Sequence, residues 1–266
     1  MPTHSPELRA ALDAAEAAGR IIRSLYQSNV RVETKADHSP VTEADVQAEQ
    51  AIRKVLTERF PAFGFHGEES GRHRTDADAV WLVDPLDGTK SFIRGCPFFS
   101  TQIALAREGR LVLGVSSAPL FDEIAWAEQG SGAYLNGHAI RVSEISELEQ
   151  AFVSTGNLKT LARSARGWKR LAGLIERTSR IRGYGDFLHY HLLARGSLDV
   201  VIESDVNILD IAALVVIVRE AGGTFTDLEG EPVGLGTTSV LASNGRLHPA
   251  ALAMLRYQSE PPRRHA

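Results

Sequence analysis

Apolar residues recur at helical spacing near the start of the chain. Between residues 5 and 26, leucine, isoleucine and alanine return every three to four positions, which is the period of one face of an α-helix. Residues 43–59 repeat the pattern, and Pro61 follows their end. Ser5 and Thr42 stand at the starts of the two segments, where a hydroxyl oxygen can accept a hydrogen bond from a first-turn N–H group. The pattern predicts two capped amphipathic helices.

A different pattern begins near residue 80. The four residues from Val80 to Val83 are all apolar, as expected of a buried strand, and we expect this strand to end where Asp84 begins. Glycine-rich turn sequence fills residues 130–137. Further strand-like stretches lie at residues 100–107, 111–116 and 123–128. Their close spacing predicts an antiparallel sheet.

The second half of the chain alternates between short apolar runs and helical periods. Strands are predicted at residues 151–154, 198–202 and 239–242, and helices at residues 159–177, 186–194, 210–221 and 248–257. A Pro- and Arg-rich tail occupies residues 260–266. The alternation predicts an α/β (α+β) fold of layered sheets and helices. We expect an N-terminal half (1–148) and a C-terminal half (149–266) that form one compact unit.

The composition narrows the class of protein. The chain has 266 residues, of which 43% are apolar and 23% charged, as in soluble globular proteins with a substantial core. A net charge of −4 provides no basic field that would attract nucleic acid or an anionic membrane. The single cysteine excludes an intrachain disulfide, and the sequence has neither a signal-peptide pattern nor a run of about 20 apolar residues. We therefore expect a cytoplasmic protein.

Residues 84–89 concentrate groups that bind hard cations. Their sequence is Asp-Pro-Leu-Asp-Gly-Thr. Asp84, the carbonyl of Leu86 and Asp87 supply the oxygen ligands that such cations prefer. Gly88 lets the backbone approach a ligand closely, so that its amide and that of Thr89 could hold a phosphate oxygen. An ordinary acidic turn would explain the same residues without any chemistry.

Other acidic positions are ambiguous when each is considered alone. A cation would relieve the repulsion between the adjacent carboxylates of Glu68 and Glu69, but solvated surface acids are the simpler explanation. Asp45 falls in the first turn of a predicted helix, where negative charge is favourable. Asp210 opens another predicted helix and could cap it.

Taken together, four motifs resemble the inositol monophosphatase superfamily. They occur in the family's order and extend over nearly the whole chain. The motifs are Val-Thr-Glu-Ala-Asp (41–45), Gly-Glu-Glu-Ser (67–70), Trp-Leu-Val-Asp-Pro-Leu-Asp-Gly-Thr (81–89), and Asp-Ile-Ala-Ala (210–213) running on to Glu-Ala-Gly-Gly (220–223). The resemblance implies the layered αβαβα sandwich of the inositol monophosphatase and fructose-1,6-bisphosphatase type. It also implies a homodimer that acts on a small phosphorylated metabolite with two or three Mg²⁺ ions.

By the same resemblance, several of the acidic residues are metal ligands. Glu68, Asp84 and the Leu86 carbonyl would hold a first ion. Asp84, Asp87 and Asp210 would hold a second, so that Asp84 bridges the two, and Glu68 would also reach a third, weaker ion. Two cations about 3.5–4 Å apart can stabilise both the attacking and the leaving oxygen of a phosphoryl transfer.

The catalytic roles are also implied by the resemblance. Thr89 and Asp45 would orient the attacking water and help to deprotonate it, and Glu68 is expected among the catalytic residues. The amides of Gly88 and Thr89 would bind the phosphate.

One position departs from the family pattern. Leu209 stands where family members usually carry a tryptophan, directly before the late metal-binding aspartate. Asp205 is therefore a rival ligand. We favour Asp210, because the Ile-Ala-Ala-Leu sequence that follows it keeps the family's register.

Residues 90–95 and 183–186 resemble the histidinol-phosphate phosphatase branch more than the inositol branch. Asp186 stands where the inositol branch commonly has a small residue, and its carboxylate could pair with the amine of histidinol phosphate in a partly desolvated site. Glu203 is a second candidate partner, and Asp87 is also expected to contact the substrate. This favours Mg²⁺-dependent hydrolysis of histidinol phosphate, a step of histidine biosynthesis. The ordinary alternative is that Asp186 caps the helix that follows it.

Three other functions fit parts of the sequence. An inositol-1-phosphate phosphatase would share the metal site. A 3′,5′-bisphosphate nucleotidase would need cations for its second phosphate, and residues 159–182 carry many lysines and arginines. An RNA- or protein-binding regulator on the same fold would rest on that basic segment alone. A solvated helix face explains the segment more simply, so we do not expect nucleic acid as a partner.

Overall fold

The computed structural model describes residues 4–28, 30–35 and 39–256. The helices of these residues are α1 (Pro6–Leu25), α2 (Glu43–Arg59), α3 (Thr89–Ile93), α4 (Lys159–Arg163), α5 (Ala165–Glu176), α6 (Asp186–Ala194), α7 (Ile208–Glu220) and α8 (His248–Leu255). The strands are β1 (Val32–Thr34), β2 (Pro40–Thr42), β3 (Gly64–Gly67), β4 (Gly71–His73), β5 (Ala79–Asp87), β6 (Ser100–Arg107), β7 (Arg110–Ala118), β8 (Glu123–Glu128), β9 (Ala133–Leu135), β10 (His138–Ile140), β11 (Phe152–Thr155), β12 (Arg180–Arg182), β13 (Val200–Ser204), β14 (Thr224–Thr226) and β15 (Ser239–Ser243).

The strands form two main sheets. The larger sheet has eight strands in the order β10-β9-β8-β7-β6-β5-β3-β4, and its pairs are antiparallel except that of β3 with β5. The smaller sheet has five strands in the order β12-β11-β13-β15-β14, in which β11 is parallel to both neighbours. Strands β1 and β2 form a separate antiparallel pair. The antiparallel sheet predicted for the first half is confirmed, with one parallel exception.

Helices and sheets alternate in five layers. Helices α1 and α2 pack together and cover one face of the larger sheet. Helix α7 covers the opposite face, with α6 beside it, and these two helices also contact β14 and β13 of the smaller sheet. Helices α5 and α8 pack together on the far side of the smaller sheet. The αβαβα sandwich implied by the resemblance is confirmed.

Apolar cores fill the spaces between the layers. Ile52 and Trp81 belong to the core under α1 and α2, and Leu174 belongs to the core under α5 and α8. The middle core surrounds α7, which is apolar on nearly every side, as expected of a helix buried between two sheets. No helix of the described residues is long and apolar enough to cross a membrane.

The two predicted helix starts are confirmed by their hydrogen bonds. The Leu8 N–H donates to the Ser5 hydroxyl oxygen at 3.0 Å, and the Ala44 N–H donates to Thr42 Oγ1 at 3.1 Å. Asp45 completes a capping box, because its carboxylate accepts the Thr42 N–H at 2.8 Å. The cap therefore also positions an acidic side chain that the sequence assigned to catalysis.

Strand β5 does not end at Asp84 as predicted. It continues to Asp87, and its pairing with β6 becomes irregular between these two residues. The Leu86 N–H donates to Asp84 Oδ1 at 3.0 Å, and the Pro85 carbonyl accepts the Thr101 hydroxyl at 2.8 Å. The prediction was wrong because these bonds hold a polar segment in an extended form that its hydrophobicity does not indicate.

Several boundaries in the remaining chain also differ from the prediction. The helix predicted at 159–177 is two helices, since Ser164 interrupts it and its hydroxyl caps α5 by accepting the Gly167 N–H at 3.0 Å. Residues 130–137 include strand β9 in addition to turns, and α7 begins two residues before Asp210. The end of the predicted last helix and the tail 260–266 lie partly or wholly outside the described residues.

Candidate metal centre and active site

Three carboxylates meet where β5 ends and α7 begins. Oxygens of Asp84, Asp87 and Asp210 lie within 4.8 Å of one another. The first two residues come from the irregular end of β5, and Asp210 comes from the first turn of α7. Asn207 caps α7, and its N–H donates to the Asp210 carboxylate at 2.9 Å. The helix cap thereby fixes the orientation of the third carboxylate.

Burial and mutual repulsion oppose the charges of these carboxylates. Burial raises the pKa of Asp84 well above its usual value, and Glu68, Asp87 and Asp210 raise it further. Burial also raises the pKa of Asp87, with Asp186 as the largest neighbouring charge. For Asp210, burial outweighs the hydrogen bonds from its cap and raises the pKa to about 7. The cluster is therefore unfavourable when fully charged and without a cation.

The donor set of the cluster fits Mg²⁺. Its members offer only carboxylate oxygens, which hard cations such as Mg²⁺ prefer, whereas zinc sites usually include histidine or cysteine. A bound divalent cation would replace the repulsion between the three charges by attraction. The structure brings together three of the residues expected as ligands, and their roles in metal binding stay a prediction.

Glu68 lies between this cluster and Lys35. Its N–H donates to the Val83 carbonyl at 3.1 Å, and its carboxylate contributes to the raised pKa of Asp84. Lys35 Nζ lies 3.0 Å from Glu68 Oε1 and 2.7 Å from Glu69 Oε1. Burial acts to lower the pKa of Lys35, but the two carboxylates outweigh burial and raise it.

Lys35 is a contributor to the site to which the sequence assigned no role. Its position at the start of the motif region was visible, but nothing in the sequence indicated that it would pair with acids more than thirty residues away. Burial raises the pKa of Glu69 to about 7 even with this lysine beside it. Lys35 therefore offsets part of the negative charge on the Glu68 side of the cluster.

Asp45 and Thr89 form a hydrogen-bonded pair next to the cluster. The Thr89 hydroxyl donates to Asp45 Oδ1 at 2.8 Å and lies 3.1 Å from the Leu86 carbonyl. Asp45 is fully buried, and its Oδ2 accepts the hydroxyl of Thr42 at 2.6 Å. Burial raises the pKa of Asp45, although the hydrogen bonds from both threonines lower it. The structure brings the two residues named by the resemblance into contact, and their role toward an attacking water stays a prediction.

Gly88 provides the turn between β5 and α3. Its φ of 97° lies in the left-handed region, which favours glycine. A side chain there would bring a Cβ atom to 2.6 Å from the Phe98 carbonyl oxygen. Gly88 is therefore required both by its backbone angle and by close packing, and Thr89 begins α3 directly after it. The binding of phosphate by their two amides stays a prediction.

Asp186 faces the cluster from the start of α6. Burial, together with the charge of Glu203, raises its pKa to about 6, while His189 opposes the shift. Gly185, not Asp186, is the N-cap of α6, and no side chain caps this helix. The capping explanation for Asp186 is therefore wrong. Its carboxylate makes no hydrogen bond or ion pair within residues 4–28, 30–35 and 39–256.

Glu203 is almost fully buried on β13 and is held by protein groups. Its Oε2 accepts the Tyr190 hydroxyl at 2.8 Å, and its Oε1 accepts the Asn157 N–H at 3.1 Å. His189 Nε2 lies 3.2 Å from Oε2 but is not aligned for a hydrogen bond. Burial acts to raise the pKa of Glu203, and its contacts, with His189 the largest, lower it overall. Sequence patterns could not indicate these contacts, because they join α6 and the segment after β11 to strand β13.

The structure separates the two rival aspartates near α7. Asp205 is exposed and bonds to Thr160, whose N–H donates to it at 2.9 Å, and it does not belong to the carboxylate cluster. Leu209 is buried in the middle core. The leucine therefore packs where it does not displace Asp210 from the cluster.

The sequence matches the model of the inositol monophosphatase family over residues 4–260. A histidinol-phosphatase of Mycobacterium tuberculosis is 39% identical over 255 residues, which cover 94% of this chain and 97% of that protein. An inositol-1-monophosphatase of Caulobacter vibrioides is 35% identical over 256 residues, covering 94% and 99% of the two chains.

Solved structures show the same relationship. The extragenic suppressor protein suhB of Bartonella henselae superposes with a TM-score of 0.88 at 34% identity, covering 96% of this chain and 100% of that one. The Thermotoga maritima inositol monophosphatase superposes with a TM-score of 0.84 at 33% identity, covering 94% and 97%. Sequence, fold and the arrangement of the acidic motifs agree, and the chain belongs to the inositol monophosphatase family of phosphatases.

Proposed function

We propose that the protein is a Mg²⁺-dependent phosphatase that hydrolyses a small phosphate monoester carrying a cationic group, with histidinol phosphate as its substrate. The observation that carries this proposal is the carboxylate of Asp186, which has no partner among the described residues and raises the pKa of Asp87 by repulsion. A substrate amine would supply the missing positive charge. The relatives named histidinol-phosphatase support the same substrate.

The metal would be held by acidic residues directly after β3, at the end of β5 and in the first turn of α7. We assign Glu68, Asp84 and the Leu86 carbonyl to a first Mg²⁺ ion. Asp84, Asp87 and Asp210 would hold a second, and Glu68 would reach a third, weaker ion. The short distances among the three aspartates and their repulsion support this assignment. Bound Mg²⁺ would supply Lewis acidity and neutralise the charge of the phosphate.

Asp45 and Thr89 would together accept the proton that the attacking water releases. The Thr89 hydroxyl donates its hydrogen to Asp45 Oδ1, so its oxygen lone pairs remain free to accept a hydrogen bond from that water. Burial makes Asp45 a stronger base than an exposed aspartate. A proton can therefore pass through the hydroxyl to Asp45 Oδ1 as the water attacks. The amides of Gly88 and Thr89 would hold a phosphate oxygen.

The substrate amine would donate to Asp186, with Asp87 close to the phosphate end of the substrate. Glu203 would contribute its negative charge from a fixed position, because protein groups already occupy both of its oxygens. A neutral polyol phosphate offers no cation to these acids, so the site should favour the amine. The same chemistry would still accept inositol 1-phosphate, as the relatives with that name indicate, with a lower kcat/KM.

The experiment that tests this proposal is phosphate release in the presence of Mg²⁺. Histidinol phosphate, inositol 1-phosphate and adenosine 3′,5′-bisphosphate are compared with the wild type and the variants Asp186→Asn and Asp205→Asn. Asp186→Asn should raise KM for histidinol phosphate at least about tenfold, the effect of losing one charged hydrogen bond, and leave KM for inositol 1-phosphate within about twofold.

Asp205→Asn is the matched control, since it removes the same charge outside the carboxylate cluster. It should leave both KM values unchanged. An equal rise of KM for the cationic and the neutral substrate in Asp186→Asn would reject the role of Asp186. Fastest turnover of adenosine 3′,5′-bisphosphate would instead favour a nucleotidase that uses the basic residues of α4 and α5.

We further propose a homodimer in the cytoplasm. The homodimer is supported by the family resemblance, and a reducing compartment by the single cysteine of the chain. Sedimentation equilibrium on the purified protein tests the dimer directly. A mass near that of one 28.9 kDa chain at micromolar concentration would contradict it.

A further inference from the structure

A cavity of about 260 Å³ is lined by residues of the elements that carry the candidate metal centre. Its walls include His66, Leu82 and Ile208. Each of these residues stands two positions before one of the proposed metal ligands, on β3, on β5 and at the start of α7. None of the clustered carboxylates lines the cavity, so the cavity is a separate space that shares its walls with the metal-bearing elements.

Two basic side chains face this cavity without a partner. His66 on β3 and Arg72 on β4 are directly paired across antiparallel strands, and their side chains therefore project from the same face. Neither side chain makes a hydrogen bond or an ion pair in the part of the chain that the structure describes. The negative charge of Glu49 acts electrostatically on His66. The Glu49 carboxylate already accepts the N–H groups of Glu69 and Ser70 at 2.8 and 2.7 Å.

The remainder of the cavity is mostly apolar. Leu82, Ile208 and Val233 line it together with Leu235, whose side chain is 67% exposed. Among the large apolar side chains of the described residues, the next most exposed is Trp168 at 49%. A mostly apolar cavity with a few convergent polar groups is typical of a ligand site, and a molecule bound there would also cover Leu235.

We propose that this cavity binds a small organic anion, namely a single carboxylate carried on an apolar body. The carboxylate would accept hydrogen bonds from Arg72 and His66, and the apolar body would pack against Leu82 and Leu235. Asp78 also lines the cavity, and because its carboxylate repels each negative charge of a ligand, a singly charged anion is favoured over a doubly charged one. The volume is below the range of roughly 300–1,000 Å³ found for drug-sized ligands, which limits the occupant to a small metabolite.

The identity of the phosphate monoester does not enter this proposal, so it can be tested without any turnover. Benzoate serves as the anionic probe, with benzamide and benzylamine as neutral and cationic molecules of the same shape. Binding is followed by methyl chemical shifts of the metal-free protein in EDTA. Under these conditions no cation is bound among the clustered carboxylates, so the catalytic site offers benzoate no positive charge.

Benzoate should shift the methyl signals of Leu82, Ile208 and Leu235 in a saturable way. The signals of Leu171, which belongs to the core under α5 and α8, should not move. Benzamide and benzylamine should bind more weakly than benzoate. The proposal would be overturned if benzoate gave no saturable shift at the cavity. It would also be overturned if benzamide or benzylamine bound as tightly as benzoate.

Two variants locate the charge that holds the anion. Arg72→Gln should weaken benzoate binding at least about tenfold, and it should fold normally because Arg72 is exposed. Arg141→Gln removes the same charge from an exposed residue that does not line the cavity, and it should bind benzoate as the wild type does. Equal benzoate affinity in Arg72→Gln and Arg141→Gln would also overturn the proposal.

Discussion

Asp84 is only 3% exposed and lies among the carboxylates of Glu68, Asp87 and Asp210. Without a cation, this arrangement destabilises the folded chain, because buried like charges repel and lose hydration. With a cation bound, the same charges attract it. The requirements of stability and of metal binding therefore oppose each other at this residue.

The first prediction concerns Asp84→Asn. Phosphatase activity should fall at least about a hundredfold, because a ligand that supplies several kcal/mol of transition-state stabilisation is lost. Saturating Mg²⁺ should raise the Tm of the wild type by the mass-action effect of a ligand bound only to the folded state. The same Mg²⁺ should raise the Tm of the variant much less. Full activity with an unchanged response to Mg²⁺ would reject the bridging role.

The second prediction concerns pH in EDTA. Asp186 and Asp210 have pKa values of about 6 and about 7 in the folded chain, above the ordinary value of 3.8. Folded protein therefore binds protons that the unfolded chain releases, and this contribution to stability is complete below the unfolded pKa and lost as pH rises through the folded one. The unfolding free energy contributed by these groups should decrease between about pH 4 and pH 7.

Urea unfolding of the wild type and Asp210→Asn over this pH range isolates one of the two groups. The variant should become more stable relative to the wild type as pH rises, by about 1.4 kcal/mol for each unit of pKa difference. A difference that does not change with pH would show that the pKa of Asp210 is not raised.

Among the elements, the start of α2 connects a helix cap to a proposed catalytic residue. Thr42 caps the helix, and its N–H and hydroxyl both donate to Asp45. Asp45 in turn accepts the Thr89 hydroxyl from the segment after β5. The cap therefore positions the proposed catalytic carboxylate of Asp45 as well as stabilising the helix.

The third prediction compares two threonines of this helix region. Thr42→Ala should lower the unfolding free energy by about 1 kcal/mol and also reduce kcat, because Asp45 loses the hydroxyl that donates to its Oδ2 and keeps only the backbone N–H there. Thr57→Ala removes a hydroxyl that only donates to the Arg53 carbonyl at 2.8 Å on the same helix. It should change kcat little. An unchanged kcat in Thr42→Ala would limit the cap to a structural role.

Helix α6 is connected to the larger sheet by a buried polar chain. His191 Nε2 lies 2.8 Å from the Ser116 hydroxyl oxygen, and Gln102 Nε2 donates to the same oxygen at 3.0 Å. Gln102 is the strand partner of Asp84 in the pairing of β5 with β6. The helix that begins with Asp186 is thereby held in a fixed position relative to the strand that carries the proposed bridging ligand.

At the scale of the whole molecule, α7 must approach the larger sheet closely. A Cβ atom at Gly114 would lie 2.3 Å from the Ala213 carbonyl oxygen of α7, and the backbone cannot move away without displacing Asp210. Gly19 on α1 has room for a side chain, unlike Gly114, because a Cβ atom there would lie 3.7 Å from Pro119, an ordinary van der Waals distance.

The fourth prediction uses this contrast. Gly114→Ala should lower the unfolding free energy by about 1–3 kcal/mol, as in other overpacked cores, and should weaken Mg²⁺ binding through the shift of α7. Gly19→Ala should raise the unfolding free energy by roughly 0.5–1 kcal/mol, since alanine is the better helix former. Urea unfolding and Mg²⁺ titration measure both effects, and changes of the same sign in both variants would contradict the layer geometry.

The two halves predicted from the sequence stay a prediction. The strands of the larger sheet all precede residue 148, and those of the smaller sheet all follow it. Helices α6 and α7 nevertheless come from the second half and pack against the larger sheet. The proposed metal ligands are likewise drawn from both halves, so neither half alone would contain the whole site.

The chain sequence by itself determined the features that depend on neighbours along the chain. Hydrophobic period and capping residues predicted α1 and α2 correctly, because a helix bonds within its own segment. The acidic motifs were ambiguous one by one, and only the family resemblance that they carry together implied that Asp84, Asp87 and Asp210 meet, as the structure shows. The family resemblance then predicted the layer order.

Only the tertiary structure decided the features that depend on contacts between distant segments. Examples are the pairing of Lys35 with Glu68, the hydrogen bonds that hold Glu203, and the position of Asp205 outside the carboxylate cluster. Each depends on how separate elements pack. The continuation of β5 through its polar end and the cavity beside Arg72 belong to the same class. Such contacts are set by the packing of whole layers, which hydrophobic period and motif spacing do not encode locally.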